Sequence, residues 1–199
     1  VWRFWTIPAL GEPGSETWPS DAWERGGGPT WVTGAYDPAT NTIFWGTGNP
    51  SPDYFGGERL GDNRYANSVV ALRARDGKVV WHFQTVHHDL WDYDNAAPPA
   101  LATVTRNGQR IPVVLQATKS GQLYVLHRET GVPVFPVEER AVPQTDVPGE
   151  RTAARTVTTR PSNRCTACSS PQAHVSAKVC VCRRSRTSTS IIFSVPWSG

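Results

Sequence analysis

Methionine is absent from this 199-residue chain, and no cysteine occurs before position 165. Any thiolate metal site is therefore confined to the last part of the sequence. No apolar run is long enough to cross a bilayer as a helix. No secretory leader opens the chain, and together with the missing methionine this gives the expectation that it begins inside a larger protein, with any export signal upstream of Val1. Acid is absent after Glu150: all 17 Asp and Glu lie at or before it. With 12 of the 20 Lys and Arg, residues 1–150 carry a net charge of −5, and the remaining 49 residues carry +8. That asymmetry marks an expected boundary near Glu150, dividing 1–150 from a basic tail, 151–199. The acidic part lacks the clustered Lys and Arg that nucleic-acid binding needs, so no nucleic-acid partner is expected.

What is present leans towards β structure. Nine Trp accompany 17 Gly and 17 Pro, a mixture of large rings and turn residues. Residues 71–83, from Ala71 to Phe83, read as strand, Asp76-Gly77 turn and strand. A second copy runs from Tyr124 to Phe135, and setting Gly77 over Gly131 places Trp81 over Phe135. Val1-Trp2-Arg3-Phe4 reads as the closing strand of an earlier copy. Further strands are predicted at Asn41 to Gly46, Ser68 to Leu72 and Ile111 to Ala117, with long loops at 11–30 and from Pro50 to Asn67. A period of about 50 residues built from short strands signifies propeller blades, and about three fit here. The competing architecture is a β-sandwich with two similar hairpins.

One run stands out chemically: His87-His88-Asp89-Leu90-Trp91-Asp92-Tyr93-Asp94. Three carboxylates and two imidazoles follow directly on a strand, beside large rings. Rings that exclude water strengthen the local field, and carboxylates hold a cation or take a proton. A polar loop with packed aromatics is the plainer interpretation. The tail offers Cys165-x-x-Cys168 and Cys180-x-Cys182, a weak zinc pattern with a tight second spacing. Its Arg, Ser and Thr runs fit either a disordered basic tail or the product of a shifted reading frame.

Four blocks then carry a resemblance. They are Gly26-Gly27-Gly28-Pro29-Thr30-Trp31, Trp45-Gly46-Thr47-Gly48-Asn49-Pro50, His88-Asp89-Leu90-Trp91-Asp92, and Ala117-Thr118-Lys119-Ser120-Gly121. Trp31 precedes Asn49 by 18 residues and Asp92 precedes Lys119 by 27. In content, order and spacing these blocks resemble the quinoprotein dehydrogenases, which depend on pyrroloquinoline quinone (PQQ) and oxidise alcohols or glucose. The resemblance runs from about Val1 to Glu150. It implies an all-β fold: part of an eight-bladed propeller, about three blades of it, with PQQ in the central funnel over a cation.

The resemblance also implies roles. Trp31, with Thr30 beside it, would form the floor under the quinone, and indole suits a flat partner. Asn49 would offer an amide oxygen to a hard metal. Asp92 would serve as catalytic base and metal neighbour, and Lys119 would be both catalytic and cofactor-binding, donating to the quinone oxygens. Asp94 would add charge to the metal site, which keeps calcium, magnesium and a lanthanide all open. His87 and His88 would lie at the rim or behind the ligands. The bland alternatives are a core tryptophan, a turn asparagine, a capping aspartate and a solvated lysine.

The implied reaction has Asp92 removing the hydroxyl proton of a small alcohol or sugar while hydride passes to the quinone, polarised by the metal. Lys119 would stabilise the developing oxyanion. Electrons would continue to a cytochrome c or ubiquinone in the periplasm. Gly48-Asn49-Pro50 looks like the alcohol branch, and Thr85 to Asp92 and Thr130 to Glu150 look like the glucose branch. The family's glutamate ligand and its adjacent cysteine pair are expected upstream of Val1. The rival function is a non-catalytic propeller scaffold that binds partners.

Overall fold

The computed structural model describes residues 1–19 and 21–158, together with the backbone of Cys180–Arg184 and Ser188–Ile192. The chain forms two compact units, Val1–Thr159 and Arg160–Gly199. In the first unit a 3₁₀ turn at Ser15–Thr17 and a single helical turn, α1 (Ala22–Arg25), interrupt the predicted 11–30 loop. The rest is sheet. Strands β1 (Ala35–Asp37), β2 (Thr42–Gly46), β3 (Ser68–Arg73) and β4 (Val79–Gln84) form one antiparallel sheet in that order. The short β5 (Val86–His87) follows. Strands β6 (Ala100–Arg106), β7 (Gln109–Ala117) and β8 (Leu123–His127) form a second antiparallel sheet. Strands β9 (Val137–Ala141) and β10 (Ala153–Val157) join β5 in a third, ordered β5-β10-β9. In the second unit β11 (Cys180–Arg184) and β12 (Ser188–Ile192) pair antiparallel. The tail's predicted disorder and the zinc pattern at Cys165 and Cys168 lie outside the described residues, as do the side chains of Cys180 and Cys182. No helix among the described residues is long and apolar enough to cross a membrane.

Strand β3 shows why these sheets stack. Alternate residues of a strand face opposite sides. Val69 and Ala71 join Phe44, Trp81, Phe83, Val114, Tyr124 and Leu126 in a core shared with the second sheet. Val70 and Leu72, on the other face, pack with Tyr65, Trp2 and Phe4. A sheet buried on both faces has no stable existence without its neighbours, which is the physical signature of propeller blades.

The blades are fastened by a repeated contact. The Trp81 indole Nε1–H donates to the Arg128 carbonyl at 2.9 Å, and its ring lies against Gly131. Trp2 does the same one blade earlier, donating to the Ala74 carbonyl at 2.8 Å and covering Gly77. Both glycines have φ of +71°, the left-handed region. So Trp2 does occupy the place predicted for a closing element, although Val1 to Phe4 forms no ladder. The second copy also departs from expectation. After Gly131 the chain makes only a bridge, Leu126 to Pro133, where the first copy has β4. Pro133 and Pro136 have no N–H to give a ladder, and proline is excluded from continuous sheet for that reason.

Gly121 and Gly131 have nearly the same φ, +73° and +71°, but only Gly131 is crowded. Gly121→Ala should destabilise by about 1–2 kcal/mol from the left-handed backbone alone. Gly131→Ala should lose about 1–3 kcal/mol more, because its methyl meets the Trp81 ring. Urea unfolding of the two variants measures the difference.

Candidate functional site

Three loops meet at one end of the sheets. The first leaves β2 through Thr47-Gly48-Asn49, the second leaves β5 through Asp89 to Asp94, and the third leaves β7 through Thr118-Lys119. Thr47 ties the first loop down: its amide and hydroxyl donate to the Ser68 and Tyr65 carbonyls, and the Asn67 amide donates to Gly48.

The Lys119 ammonium sits between two carboxylates, 2.9 Å from Asp92 Oδ1 and 2.7 Å from Asp94 Oδ2. Its backbone amide also donates to the Asp94 carbonyl at 3.2 Å. Asp94 is buried, and its Oδ1 accepts the Asn49 amide at 2.8 Å. Gly48 makes that approach possible, because a Cβ there would stand 2.5 Å from Asp94 Oδ1. Asn49 is buried and donates through Nδ2 to Asp53 Oδ1 at 2.8 Å and, at 3.4 Å, to its neighbour's carbonyl. Among the described residues its Oδ1 accepts no hydrogen bond, so this oxygen is available to a cation. The structure thus brings together Asn49, Asp92, Asp94 and Lys119.

Thr30 and Trp31 are both exposed, the indole at 59%. They continue a segment that pairs with the first loop: Gly27 bridges Ser51, and Gly48 donates to the Pro29 carbonyl at 2.8 Å. The Trp31 ring is an uncovered aromatic surface on the strand of chain that borders the cluster.

Hydrogen bonds to Asp94 above all, then to Asp92, push Lys119 up to about 12 despite partial burial. Lys119 is therefore an ammonium throughout the neutral range, a donor and not a base. Its raised value also gives the sign of its stability effect. The lysine's contribution is complete below its usual value near 10.5 and is lost as pH rises through about 12.

The other members of the acidic run have different duties. Asp89 is fully buried. Its Oδ1 accepts the Trp91 amide at 2.8 Å, and its Oδ2 accepts the Tyr93 amide at 2.6 Å and Asn67 Nδ2 at 2.8 Å. Burial pushes its carboxyl above the usual range against these donors. His88, expected at the rim or behind the ligands, is wholly buried, with a φ of +49°. Its Nδ1 is 2.9 Å from the Gly61 carbonyl and its Nε2 3.5 Å from Glu150 Oε1. His87 faces Glu139 at 2.7 Å. Both imidazoles are thus engaged away from the cluster. The donors that remain are carboxylate and amide oxygens, which suit a hard cation such as calcium, magnesium or a lanthanide. An exposed indole, a fixed ammonium and a hard-oxygen set together fit a flat, oxygen-bearing cofactor lying over a cation.

Arg59, Asn67 and Asp53 were not anticipated from sequence. The Asp89 turn had a signal, since an aspartate two residues before its backbone partner is a common turn device. Arg59 and Asn67 had none, because most of their partners are backbone carbonyls in loops that form no regular motif.

Propeller-type sheets with this cluster at a loop end define a class, and the comparisons give it a family. Residues 1–182 match the model of the glucose/ethanol/alcohol dehydrogenase β-propeller domain of the PQQ family. The chain belongs to that family. The match continues past Glu150, where the recognisable sequence pattern ends, and β10 likewise carries the first unit's sheet beyond that point. The quinoprotein glucose dehydrogenase of Escherichia coli is 43% identical over 122 residues, 61% of this chain and 15% of its own length. The quinohemoprotein alcohol dehydrogenase ADHIIG of Pseudomonas putida superposes with a TM-score of 0.61 at 35% identity, covering 68% of this chain and 22% of that one. A europium-containing methanol dehydrogenase gives 0.58 at 34%, covering 66% and 24%. The chain therefore spans between about a seventh and a quarter of the length of these relatives.

Removing Lys119 should free the carboxylate pair for a cation. Lys119→Ala is expected to bind terbium at least about fivefold more tightly, because the partly exposed pair with Asp92 alone is worth up to about 1 kcal/mol and the pair with buried Asp94 adds to it. Luminescence titration of the cofactor-free protein measures it.

Proposed function

We propose that this chain is part of a PQQ-dependent dehydrogenase that oxidises an alcohol or an aldose, and that it carries the proton-accepting and cofactor-facing residues of the active site. The observation that carries this reading is the meeting of Asp92, Asp94, Asn49 and Lys119 from three separate loops. A non-catalytic scaffold has no need for that convergence.

When bound, PQQ supplies a two-electron acceptor and a cation supplies Lewis acidity. Trp31, with Thr30, would hold the flat face of the cofactor; Asn49, Asp92 and Asp94 would hold calcium, magnesium or a lanthanide. The chain's own chemistry is proton handling and charge placement. Asp92 is about one-third exposed and its Oδ1 is held by Lys119, so its other oxygen can face a substrate hydroxyl and take its proton. Lys119 keeps its proton and would donate a hydrogen bond to an oxygen of the bound cofactor. Asp94, tied to Asn49 and Lys119 at once, holds these two groups in register. Two carboxylates and an amide fall short of the six to eight oxygens calcium takes, so other ligands must complete its shell. The relatives' names divide among glucose, alcohols and quinate or shikimate, and within that range an alcohol or an aldose is the substrate proposed here. We place the intact enzyme in the periplasm, with a cytochrome c or ubiquinone as electron acceptor.

The test is dye-linked oxidation by the intact parent protein loaded with PQQ and calcium or a lanthanide, across alcohols and aldoses. Turnover of one class supports the proposal, and failure to bind PQQ or oxidise either class refutes it. Asp92→Asn should lower kcat by about 10²- to 10⁴-fold with PQQ binding retained. The 199-residue chain alone should show no turnover with PQQ added, since its sheets would supply only part of the cofactor's wall.

A further inference from the structure

The buried pair Arg59 and Asp89 is not accounted for by the reaction. Arg59 is 1% exposed, and no carboxylate among the described residues pairs with it. Its guanidinium instead donates to carbonyls. Nε and Nη2 both reach the Pro52 carbonyl, at 3.0 and 2.8 Å, and Nη2 also reaches the Asp53 carbonyl at 3.5 Å. The same Nη2 donates to the Asp89 carbonyl at 2.5 Å, and Nη1 to Asn63 Oδ1 at 2.8 Å. One planar group thus grips two loops: the one that carries Asn49 and Asp53, and the one that carries Asp92 and Asp94. Asp89 continues the grip. Its carboxylate takes the amides of Trp91 and Tyr93, the two residues that flank Asp92. Asn67 locks the arrangement, donating from Nδ2 to both Asp89 Oδ2 and the Tyr93 carbonyl.

Burial opposes both charges, lowering Arg59 to about 10 and raising Asp89. Apolar residues of similar volume commonly fill such space at lower cost. What they cannot supply is directed donors and acceptors. Asp92 needs them, because it has a φ of +60°, a backbone state unfavourable for a residue with a Cβ. Held between two amides that share one acceptor, it cannot relax to the ordinary conformation without breaking that acceptor's bonds.

We propose that Arg59 and Asp89 are positioning residues that together set the separation of Asn49 from Asp92, and hence of the cation from the proton-accepting carboxylate. The proposal rests on the dehydrogenase reading for its catalytic consequence. Arg59→Lys keeps the charge but loses the planar fork. Asp89→Asn keeps the shape but turns one acceptor into a donor facing an amide. In the intact PQQ-loaded holoenzyme, each should lower kcat about 10- to 100-fold with the substrate KM nearly unchanged. In the cofactor-free protein, each should weaken terbium binding about 10- to 100-fold by luminescence titration. Hydrogen exchange at the Trp91 and Tyr93 amides should accelerate in Asp89→Asn.

A lowered melting temperature with wild-type kcat and terbium affinity would overturn the proposal, leaving the pair merely structural. If Arg59→Lys does not fold, Asp89→Asn, which is isosteric, carries the test by the same three measurements. Failure of the unaltered holoenzyme to bind PQQ would refute the dehydrogenase reading instead, while the terbium and exchange measurements would still decide whether the brace exists.

Discussion

The arrangement of this site depends on one ammonium between two carboxylates. Asp92 and Asp94 are close in sequence and carry like charge, which would drive them apart without a cation between them. Lys119 supplies it, and its backbone amide, bonded to the Asp94 carbonyl, keeps it from sliding along the loop. Through Asp94 the same charge is felt at Asn49. Three loops from three sheets are thereby referred to a single point, and the distances among their side chains become properties of the fold.

Behind that point lies a division of labour within one short run of sequence. Asp92 and Asp94 face the lysine. Asp89 faces backbone amides, and His88 faces inward to Gly61 and Glu150. Three carboxylates and two imidazoles in eight residues therefore do not form one site. They form a working edge and a supporting interior, separated by the alternation of left-handed residues at His88 and Asp92.

Much of the fold was legible because burial leaves a pattern in the residues. The Asp76-Gly77 hairpin, β2, β3 and the C-terminal part of β7 fall where alternation and apolar runs placed them. The arm after Gly131 was misjudged because similarity to the first copy outweighed two prolines that cannot join a ladder. Strands β9 and β10 escaped notice: each packs a single valine, Val137 or Val157, against the core, and the small or polar residues between them show no alternating apolar face. In the site, Asn49, Asp92, Asp94 and Lys119 could be named through the motif blocks that carry the family resemblance, and the structure brings the four together. Arg59 could not, since a side chain that holds chiefly main-chain carbonyls leaves its partners free to be any residue, and Asn67 meets Asp89 across 22 residues with no motif to link them.

The indole contacts at Gly77 and Gly131 have an evolutionary corollary. Each fastener is split between two modules, one contributing a ring and the next a bare stretch of main chain. A duplicated module would arrive with both halves of the join already made. An array assembled this way can gain or lose members by copying, each new module already fitted to its neighbours.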